Sequence, residues 1–359
     1  MFVYVGTYSN RGGKSSEGLY AGRLDLATGA MSLCGSRGDV QNPTFLAIDP
    51  LRHRLYSAGQ MDAPAAGAGG VVAAYTVAPE TGELQLLNRE TVDGSGPCHV
   101  TIDAAAHIVI ATGYHSGSLT VLPLRADGRI GPRTQCIRYT GSSVNPTRQR
   151  EPHPHSANFA PGDRFLFVPD LGTDRVANYV VQAAAGHLIA NPAQPFMPVK
   201  PGAGPRHFTF HPNGRTAYLI NELDSTINVY AFEPARGVLT ELQSVPALPP
   251  EYCGVSTCAE VQVTPSGRFV YGSNRGHDSL AVFAVGEDGR LSPRGHVPSG
   301  GREPRHFGID PTGAFLVAAN QNTHNLTSFR IDPATGALTS TGHTLEIPSP
   351  VCVTFLARS

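Results

Sequence analysis

Five residues of this chain have side chains that could bind or transform a charged substrate: His155, Arg206, Glu222, Arg275 and Arg305. Arginine binds carboxylate and phosphate groups through paired hydrogen bonds, and histidine and glutamate can act as general bases. Several arginines around one small space repel one another and lose hydration, a cost that an anionic ligand would offset. These residue types therefore predict a site for a small anionic substrate, if the fold brings them together.

A simple ion pair is the strongest alternative, because Glu222 and Arg206 could be partners that only stabilise the fold. Other polar residues recur at equivalent places of an internal repeat, and such positions are more often structural than catalytic. One recurrent set, predicted to hydrogen-bond loop backbone, is Asp170, Asn221, Asn274 and Asn320. The other, predicted to be hydrogen-bonded inside the protein, is His99, His207 and His306.

Composition disfavours several function classes. The formal net charge is -1, and of the 27 basic residues only Lys14 and Lys200 are lysines, so no basic stripe suited to nucleic acid is present. Residues 1–6 lack the charged and long apolar regions of a signal peptide or membrane span, which predicts a cytoplasmic protein without a membrane partner. The six cysteines form no CxxC pair and are expected to be reduced.

Motifs for cofactors are missing from the sequence. It has no HExxH motif, no P-loop and no dinucleotide fingerprint, and the Gly-Gly-Lys-Ser run at 12–15 lacks the spacing of a P-loop. His153 and His155 suggest a metal, but spacing alone cannot establish tetrahedral ligation from separate units. We expect neither a cofactor nor a metal.

An internal repeat must position these residues. Residues 205–232 contain three short alternating apolar runs between turn sequences, which predicts an antiparallel meander. One landmark that recurs with it is a glycine in a tight turn, at Gly29, Gly82, Gly128, Gly186, Gly237, Gly289 and Gly336. The second is a residue that opens an apolar run, at Pro43, Pro97, Pro154, Pro205, Cys258, Pro304 and Pro350.

Both landmarks count seven units, and each unit has a weaker fourth apolar run after its glycine. Four-stranded units at this period predict an all-β fold, a seven-bladed β-propeller that forms a single domain over residues 1–359. The run at 350–355 resembles a first strand and the run at 2–6 a second strand. Residues 1–40 and 350–359 are therefore predicted to close the ring as one blade.

Three insertions, Ala63–Gly70, Asn145–Pro152 and Leu248–Thr257, are predicted to lie on the faces of the disc.

Charged residues interrupt the repeat near the channel. The position directly after each opening residue carries Thr44, Cys98, His155, Arg206, Ala259, Arg305 and Val351. The second position after each opening residue carries Phe45, His99, Ser156, His207, Glu260, His306 and Cys352. Second strands end at the same edge, where Leu171, Glu222, Arg275 and Gln321 follow the recurrent Asp and Asn residues. Because blades converge on the channel, we expect one charged funnel.

Several segments resemble the seven-bladed lactonase propeller family, which includes bacterial 6-phosphogluconolactonases and fungal carboxy-cis,cis-muconate cyclases. They are E-P-H-P-H-S-A-N-F (151–159), G-P-R-H-F-T-F-H-P-N-G-R (204–215), N-E-L-D-S-T (221–226), Y-G-S-N-R-G (271–276) and P-R-H-F-G-I-D-P-T-G (304–313). The resemblance implies a metal-independent site on the channel face, with His155, Arg206, Glu222 and Arg275 as its catalytic residues. The remaining predicted substrate-binding residues are Arg305, His207, His306, Glu260 and Gln321.

The expected activity is hydrolysis of a sugar lactone, with 6-phosphogluconolactone of the pentose phosphate pathway as the expected substrate. Glu222 or His155 would activate water, while Arg206 and Arg275 would hold the anionic substrate and stabilise the oxyanion. Two alternatives stay open: a lactonising enzyme acting on a carboxymuconate, and a propeller without catalysis that serves as a protein-interaction platform. The platform predicts an apolar patch and a plugged channel, whereas the enzyme predicts an open polar funnel.

Overall fold

The computed structural model describes residues 1–11, 13–60, 69–94 and 96–357. Regular structure in these ranges is almost entirely antiparallel β-sheet, with one 3-10 helix at Ala183–Ala185. Among the described residues, six sheets have four strands and a seventh has five, and a small two-stranded hairpin stands apart from them. Each of the seven sheets is one blade, so the predicted seven-bladed propeller is confirmed.

The first strands belong to the closing blade and to the hairpin. They are β1 (Phe2–Thr7), β2 (Asn10–Arg11), β3 (Lys14–Ser15), β4 (Leu19–Leu24) and β5 (Met31–Arg37), of which β2 and β3 form the hairpin.

Blades 1 to 3 follow, each starting with its inner strand. Blade 1 is β6 (Gln41–Asp49), β7 (Arg54–Gln60), β8 (Gly70–Val77) and β9 (Leu84–Val92). Blade 2 is β10 (Pro97–Ile102), β11 (Ile108–Gly113), β12 (Ser118–Pro123) and β13 (Gln135–Arg138). Blade 3 is β14 (Asn158–Phe159), β15 (Phe165–Asp170), β16 (Arg175–Gln182), β17 (His187–Ala190) and β18 (Phe196–Pro198), the last two both pairing with β16.

Blades 4 to 6 have four strands each. Blade 4 is β19 (Pro205–Phe210), β20 (Thr216–Asn221), β21 (Thr226–Glu233) and β22 (Val238–Pro246). Blade 5 is β23 (Thr257–Val263), β24 (Phe269–Arg275), β25 (Ser279–Val285) and β26 (Leu291–Pro298). Blade 6 is β27 (Pro304–Ile309), β28 (Phe315–Asn320), β29 (Asn325–Ile331) and β30 (Leu338–Glu346).

The last strand, β31 (Pro350–Leu356), closes the ring. It is the innermost strand of the closing blade and pairs antiparallel with β1, with Val353 opposite Val5. This pairing confirms the predicted closure by N-terminal and C-terminal strands in one blade. It also supplies the β1 edge with hydrogen-bond partners that it would otherwise lack.

Burial explains why the fourth apolar run of each sequence unit has fewer apolar residues than the others. The second strand of blade 4, β20, is buried at all six residues, because both faces of a blade pack against neighbouring blades. The outer strand β22 lies at the rim, and only Leu239 and Val245 of its nine residues are buried. The core therefore lies between blades, as where Phe167 of blade 3 stacks on Phe208 of blade 4 with ring centroids 5.7 Å apart.

The turn glycines also join neighbouring blades. All seven have positive φ, as predicted for tight turns. In addition, each glycine carbonyl accepts a hydrogen bond from a side chain of the preceding blade. The donors for Gly29, Gly82, Gly128, Gly186, Gly237, Gly289 and Gly336 are, in that order, Ser328, Tyr4, Tyr56, Thr134, Asn178, Tyr218 and Tyr271.

The recurrent polar residues at the ends of second strands stabilise loops, as predicted. Asp170 accepts hydrogen bonds from the backbone of His153 and Gly172. Asn274 and Asn320 donate to backbone carbonyl groups, whereas Asn221 donates to side chains.

The three insertions have different outcomes. Residues 145–152 and 248–256 are loops at the channel edge, and Arg148 of the first loop lines the cavity described below. Thr257, the last residue of the other predicted insertion, begins β23 and also lines that cavity. Most of the predicted loop Ala63–Gly70 lies outside the described residues, and Gly70 begins β8. No helix within the described ranges is long and apolar enough to cross a membrane.

Candidate active site

The inner strands begin at one edge of the ring, and their first residues form two layers around the channel. We call the residue after each opening position the entrance layer: Thr44, Cys98, His155, Arg206, Ala259, Arg305 and Val351. The next residue of each blade forms the histidine layer: Phe45, His99, Ser156, His207, Glu260, His306 and Cys352. In blades 2, 4 and 6 the strand register shifts at the entrance-layer residue, and such bulges commonly redirect a side chain beside an active site.

A cavity of about 330 Å³ opens at the entrance layer. Its walls contain polar side chains from all seven blades, among them His155, Glu222, Arg275 and Arg305. Thr44, Cys98, Tyr8 and Tyr114 complete much of the remaining wall. This is the open polar funnel that the enzyme interpretation predicts.

Glu222 lies at the base of this cavity and is bound by three arginines. Its Oε2 accepts from Arg206 Nε at 3.0 Å and lies 3.0 Å from Arg275 Nη2, while its Oε1 accepts from Arg148 Nη2 at 2.6 Å. His155 Nε2 is 3.9 Å from Oε2. The structure thus brings the four predicted catalytic residues together around one carboxylate.

Burial and charge set the ionisation states of this group. Burial favours the protonated acid of Glu222, but the charges of Arg275 and Arg206 outweigh it and hold the pKa of Glu222 well below its usual range. For His155, burial acts with the charge of Arg206, and the pKa of the imidazole falls well below 6.5. Glu222 is therefore ionised and His155 neutral at neutral pH.

Arg206 is placed differently from the expectation that it holds substrate. Its side chain is 2 % exposed, it does not line the cavity, and its Nη1 donates to the carbonyl of Ala259 at 2.6 Å. An arginine held behind Glu222 in this way can orient the carboxylate, but it does not face the cavity. Arg275, which donates from Nη2 to the carbonyl of Cys258, does line it.

Glu260 organises the histidine layer beneath the cavity. Its Oε2 is 2.8 Å from His207 Nδ1 and 3.0 Å from His306 Nε2. Burial raises the pKa of Glu260 to about 8 and lowers that of His306 to about 3. The same burial lowers the pKa of His99, whose ring lies against Phe45, to about 3.

Of the five predicted substrate-binding residues, only Arg305 lines the cavity. The other four are buried within the protein: His207, His306, Glu260 and Gln321. Their position below or beside the entrance layer does not support direct contact with a substrate. The recurrence of histidine at this repeat position favoured a structural role, and the hydrogen bonds of His207 and His306 agree with that interpretation.

The comparison between blades did not single out several of the cavity residues, among them Arg148, Tyr114 and Tyr8. Arg148 comes from the polar insertion at 145–152 and also donates to Tyr114 Oη at 3.2 Å. Tyr114 and Tyr8 occupy the repeat position of Glu222 in blade 2 and in the closing blade, because Gly113 and Thr7 pair with Pro97 and Pro350. Extending the comparison at that position to all blades would have identified both tyrosines.

His153 does not line the cavity but packs against the wall residue Tyr114. Its ring stacks on Tyr114 with centroids 4.3 Å apart, and its Nδ1 is 2.9 Å from the carbonyl of the same residue. Within the part of the chain that the structure describes, no three or more His, Cys, Asp or Glu side chains are grouped to hold a metal ion.

Comparison with known proteins relates this geometry to a family. The sequence profile of the family described as "Lactonase, 7-bladed beta-propeller" matches residues 2–355. A 6-phosphogluconolactonase of Bacillus subtilis is 39% identical over 354 residues, covering 98% of this chain and 97% of that protein. A 6-phosphogluconolactonase of Formosa agariphila is 32% identical over 339 residues, covering 94% of both.

Solved structures agree over the whole chain. A putative 6-phosphogluconolactonase from Bacteroides fragilis has a TM-score of 0.90 at 30% identity, covering 99% of this chain and 98% of that one. The periplasmic gluconolactonase of Pseudomonas aeruginosa has a TM-score of 0.92 at 32% identity, covering 100% of this chain and 99% of that one. With its seven blades and its profile match, the chain belongs to the lactonase family of seven-bladed β-propellers.

Proposed function

We propose that this protein hydrolyses a sugar lactone, with 6-phosphogluconolactone as the expected substrate, in the cavity at the entrance layer. Family membership and the names of its relatives support the lactone hydrolase. One structural observation carries the site: Glu222, bound by three arginines, lies 3.9 Å from Nε2 of His155 in an open polar cavity. The pathway and the cytoplasmic location stay predictions, and one of the similar structures is named as periplasmic.

His155 is the better candidate for the general base. Both oxygens of Glu222 already accept hydrogen bonds from guanidinium groups, which lowers the basicity of the carboxylate. His155 is neutral and can accept a proton, and since its Nδ1 is fully buried, Nε2 is the nitrogen available to a water molecule in the cavity. A bound anionic substrate would offset the charge of the arginines and raise the pKa of His155 toward the working pH.

The arginines supply the electrostatic part of the reaction. Water bonds to the lactone carbonyl carbon as His155 takes its proton, and negative charge develops on the carbonyl oxygen. Arg275 and Arg148, which line the cavity, would stabilise that charge. The bond between the carbonyl carbon and the ring oxygen then breaks, and the proton passes from His155 to the departing oxygen. Glu222 and Arg206 keep the cationic groups in place.

Two other functions were open from the sequence. A lactonising enzyme acting on a carboxymuconate would use the same arginines for carboxylates, so the two activities must be assayed side by side. A non-catalytic platform is disfavoured, because its predicted plugged channel is replaced by a polar cavity that opens at the entrance layer.

The test compares His155→Gln and Glu222→Gln with the wild type in a lactone hydrolysis assay. We expect His155→Gln to lower kcat by about 100- to 10,000-fold, the usual contribution of general base catalysis. Circular dichroism and thermal melting show whether each variant keeps its fold. A folded His155→Gln protein with unchanged kcat would reject His155 as the base, and a wild type that turns over a carboxymuconate but no sugar lactone would reject the proposed substrate class.

A further inference from the structure

The cavity has a second cationic region, opposite His155. In the ring of seven entrance-layer positions, Arg305 of blade 6 lies three blades from His155 of blade 3, the largest separation that seven positions allow. Both residues line the same cavity. A substrate could therefore place its reacting carbonyl near His155 and a distant substituent near Arg305.

Arg305 is free of the partner that neutralises the other arginines. Among the described residues, no carboxylate lies within 4.0 Å of its guanidinium, whereas Arg148, Arg206 and Arg275 all bind Glu222. Glu222 and Glu303 act on Arg305 electrostatically, but from beyond that distance. An arginine facing a cavity without an acidic partner is suited to an anionic group of a ligand.

A second arginine shares the same aromatic support. The guanidinium carbon of Arg305 lies 5.6 Å from the centroid of the Tyr8 ring, and that of Arg11 lies 4.8 Å from it. Arg11 also lacks an acidic partner within 4.0 Å among the residues that the structure describes. Two like charges on one tyrosine repel each other, and an anion bound nearby would reduce this repulsion.

The hairpin that carries Arg11 is fixed to the cavity wall. The backbone amide of Ser9 donates to Asn42 Oδ1 at 2.9 Å, and the amide of Asn42 donates to Ser9 Oγ at 2.8 Å. Asn42 Nδ2 in turn donates to Gln60 Oε1, and both side chains line the cavity. This wall thus combines Arg305 with neutral hydrogen-bonding groups, which suits a phosphate on a polyhydroxylated substrate. Arg11 does not line the cavity itself but contacts the wall residue Tyr8.

We infer that Arg305 and Tyr8, supported by the charge of Arg11 on the Tyr8 ring, form a subsite for the phosphate of a phosphorylated sugar lactone, and that this subsite sets preference over the unphosphorylated lactone. The inference rests on the proposed function for the identity of the sugar. It also assigns a role to the β2–β3 hairpin, which takes no part in the proposed catalytic steps.

Direct binding of reaction products tests the subsite without relying on turnover. Titration calorimetry compares 6-phosphogluconate with gluconate in the wild type and in Arg305→Gln, Arg11→Gln and Arg164→Gln. Arg164 is the matched control for Arg11, because it is exposed and its guanidinium carbon lies 5.1 Å from the centroid of the Phe165 ring, yet Phe165, unlike Tyr8, is no part of the cavity wall.

The wild type should bind 6-phosphogluconate more tightly than gluconate. Arg305→Gln should reduce that ratio of affinities by about 10- to 100-fold, as expected for loss of charge-assisted hydrogen bonds, and Arg11→Gln by a few-fold. Arg164→Gln should leave the ratio unchanged. Equal wild-type affinity for the two acids, or an unchanged ratio in Arg305→Gln, would overturn the subsite. If the affinity ratios of the wild type and the variants follow this expectation but the wild type hydrolyses no lactone, the subsite would be supported and the proposed function rejected.

Discussion

Glu222 illustrates how its neighbours decide what a buried carboxylate can do. Alone, burial would favour its protonated form, but three guanidinium groups keep it ionised and occupy both of its oxygens. Glu260, only one layer deeper, faces histidines and has its pKa raised to about 8. The two glutamates therefore have opposite ionisation states at neutral pH, and only Glu222 lines the cavity.

The neutral histidines predict loss of stability in acid. The pKa values of His99 and His306 fall from 6.5 to about 3 in the folded protein, chiefly because burial disfavours the charged form. Their contribution to stability is complete above pH 6.5 and is lost as the pH falls toward 3, because the unfolded chain binds the protons first. As the pH falls between 6.5 and about 3, each of the two histidines should reduce the free energy of unfolding by up to about 1.4 kcal/mol per pH unit.

Urea denaturation at several pH values between 5 and 7 measures this slope. His99→Phe should make it shallower by about one proton, whereas the exposed His187→Gln should not change it. An identical slope in wild type and His99→Phe would contradict the assignment of His99 as neutral in the folded state.

Glu260 predicts the opposite trend at higher pH. Its folded pKa of about 8 exceeds the ordinary value of 4.5, so the folded protein holds a proton that the unfolded chain has released. This contribution is complete below pH 4.5 and is lost as the pH rises through 8. The free energy of unfolding should therefore decline between pH 6 and 8 in the control variant Glu241→Gln, whose substituted residue is exposed. Glu260→Gln should lack this decline. Parallel stability curves for the two variants would show that Glu260 is already ionised at neutral pH.

At the scale of the element, the tight turns do more than reverse the chain. The sequence predicted positive φ at the repeated glycines, and this was correct. It could not predict that a Cβ at Gly237 would overlap the Phe165 ring of the preceding blade, because that contact joins residues far apart in the chain. Gly29, Gly82 and Gly336 face Phe315, Phe2 and Phe269 in the same way.

A pair of alanine substitutions separates backbone strain from this packing. Gly237 and Gly162 both have positive φ, at 67° and 85°, but a Cβ at Gly162 meets nothing within 4 Å. Gly162→Ala should cost about 1 kcal/mol from strain alone. Gly237→Ala should cost about 1–3 kcal/mol more, because it also overpacks the contact between blades. Equal losses in the free energy of unfolding for the two variants would mean that the glycine contact with Phe165 contributes nothing.

At the scale of the whole molecule, periodicity was enough to predict the architecture. Seven units, four strands per unit and closure by the terminal strands all followed from turn glycines and apolar runs. The convergence of His155, Glu222 and Arg275 was also predictable, since equivalent repeat positions meet at the channel. The depth at which each side chain lies in the channel could not be predicted from the repeat. It depends on strand bulges and on the contact of three arginines with Glu222, which place Arg206 behind the carboxylate and leave Arg305 in the cavity.

Ring closure itself predicts the effect of removing the last strand. The apolar side chains of β31, among them Val351, Val353 and Leu356, are buried, and burying one such side chain contributes about 1.5–3 kcal/mol. Deleting residues 350–359 should remove a large part of a stability that is typically 5–15 kcal/mol, and the truncated chain should not fold alone. A synthetic peptide covering 348–359 should restore folding and lactone hydrolysis by pairing with β1. A truncated protein with the melting temperature of the full chain would contradict closure by β31.

A crystal structure of the wild type with 6-phosphogluconate tests the central claim most directly. The claim is that side chains from opposite blades bind one ligand across the channel, with the reacting carbon at one end and its anionic substituent at the other. We expect the carboxylate of the product beside His155, Arg148 and Arg275, and its phosphate on Arg305 and Tyr8. A ligand bound outside the channel, or one with the phosphate at His155 and the carboxylate at Arg305, would contradict it.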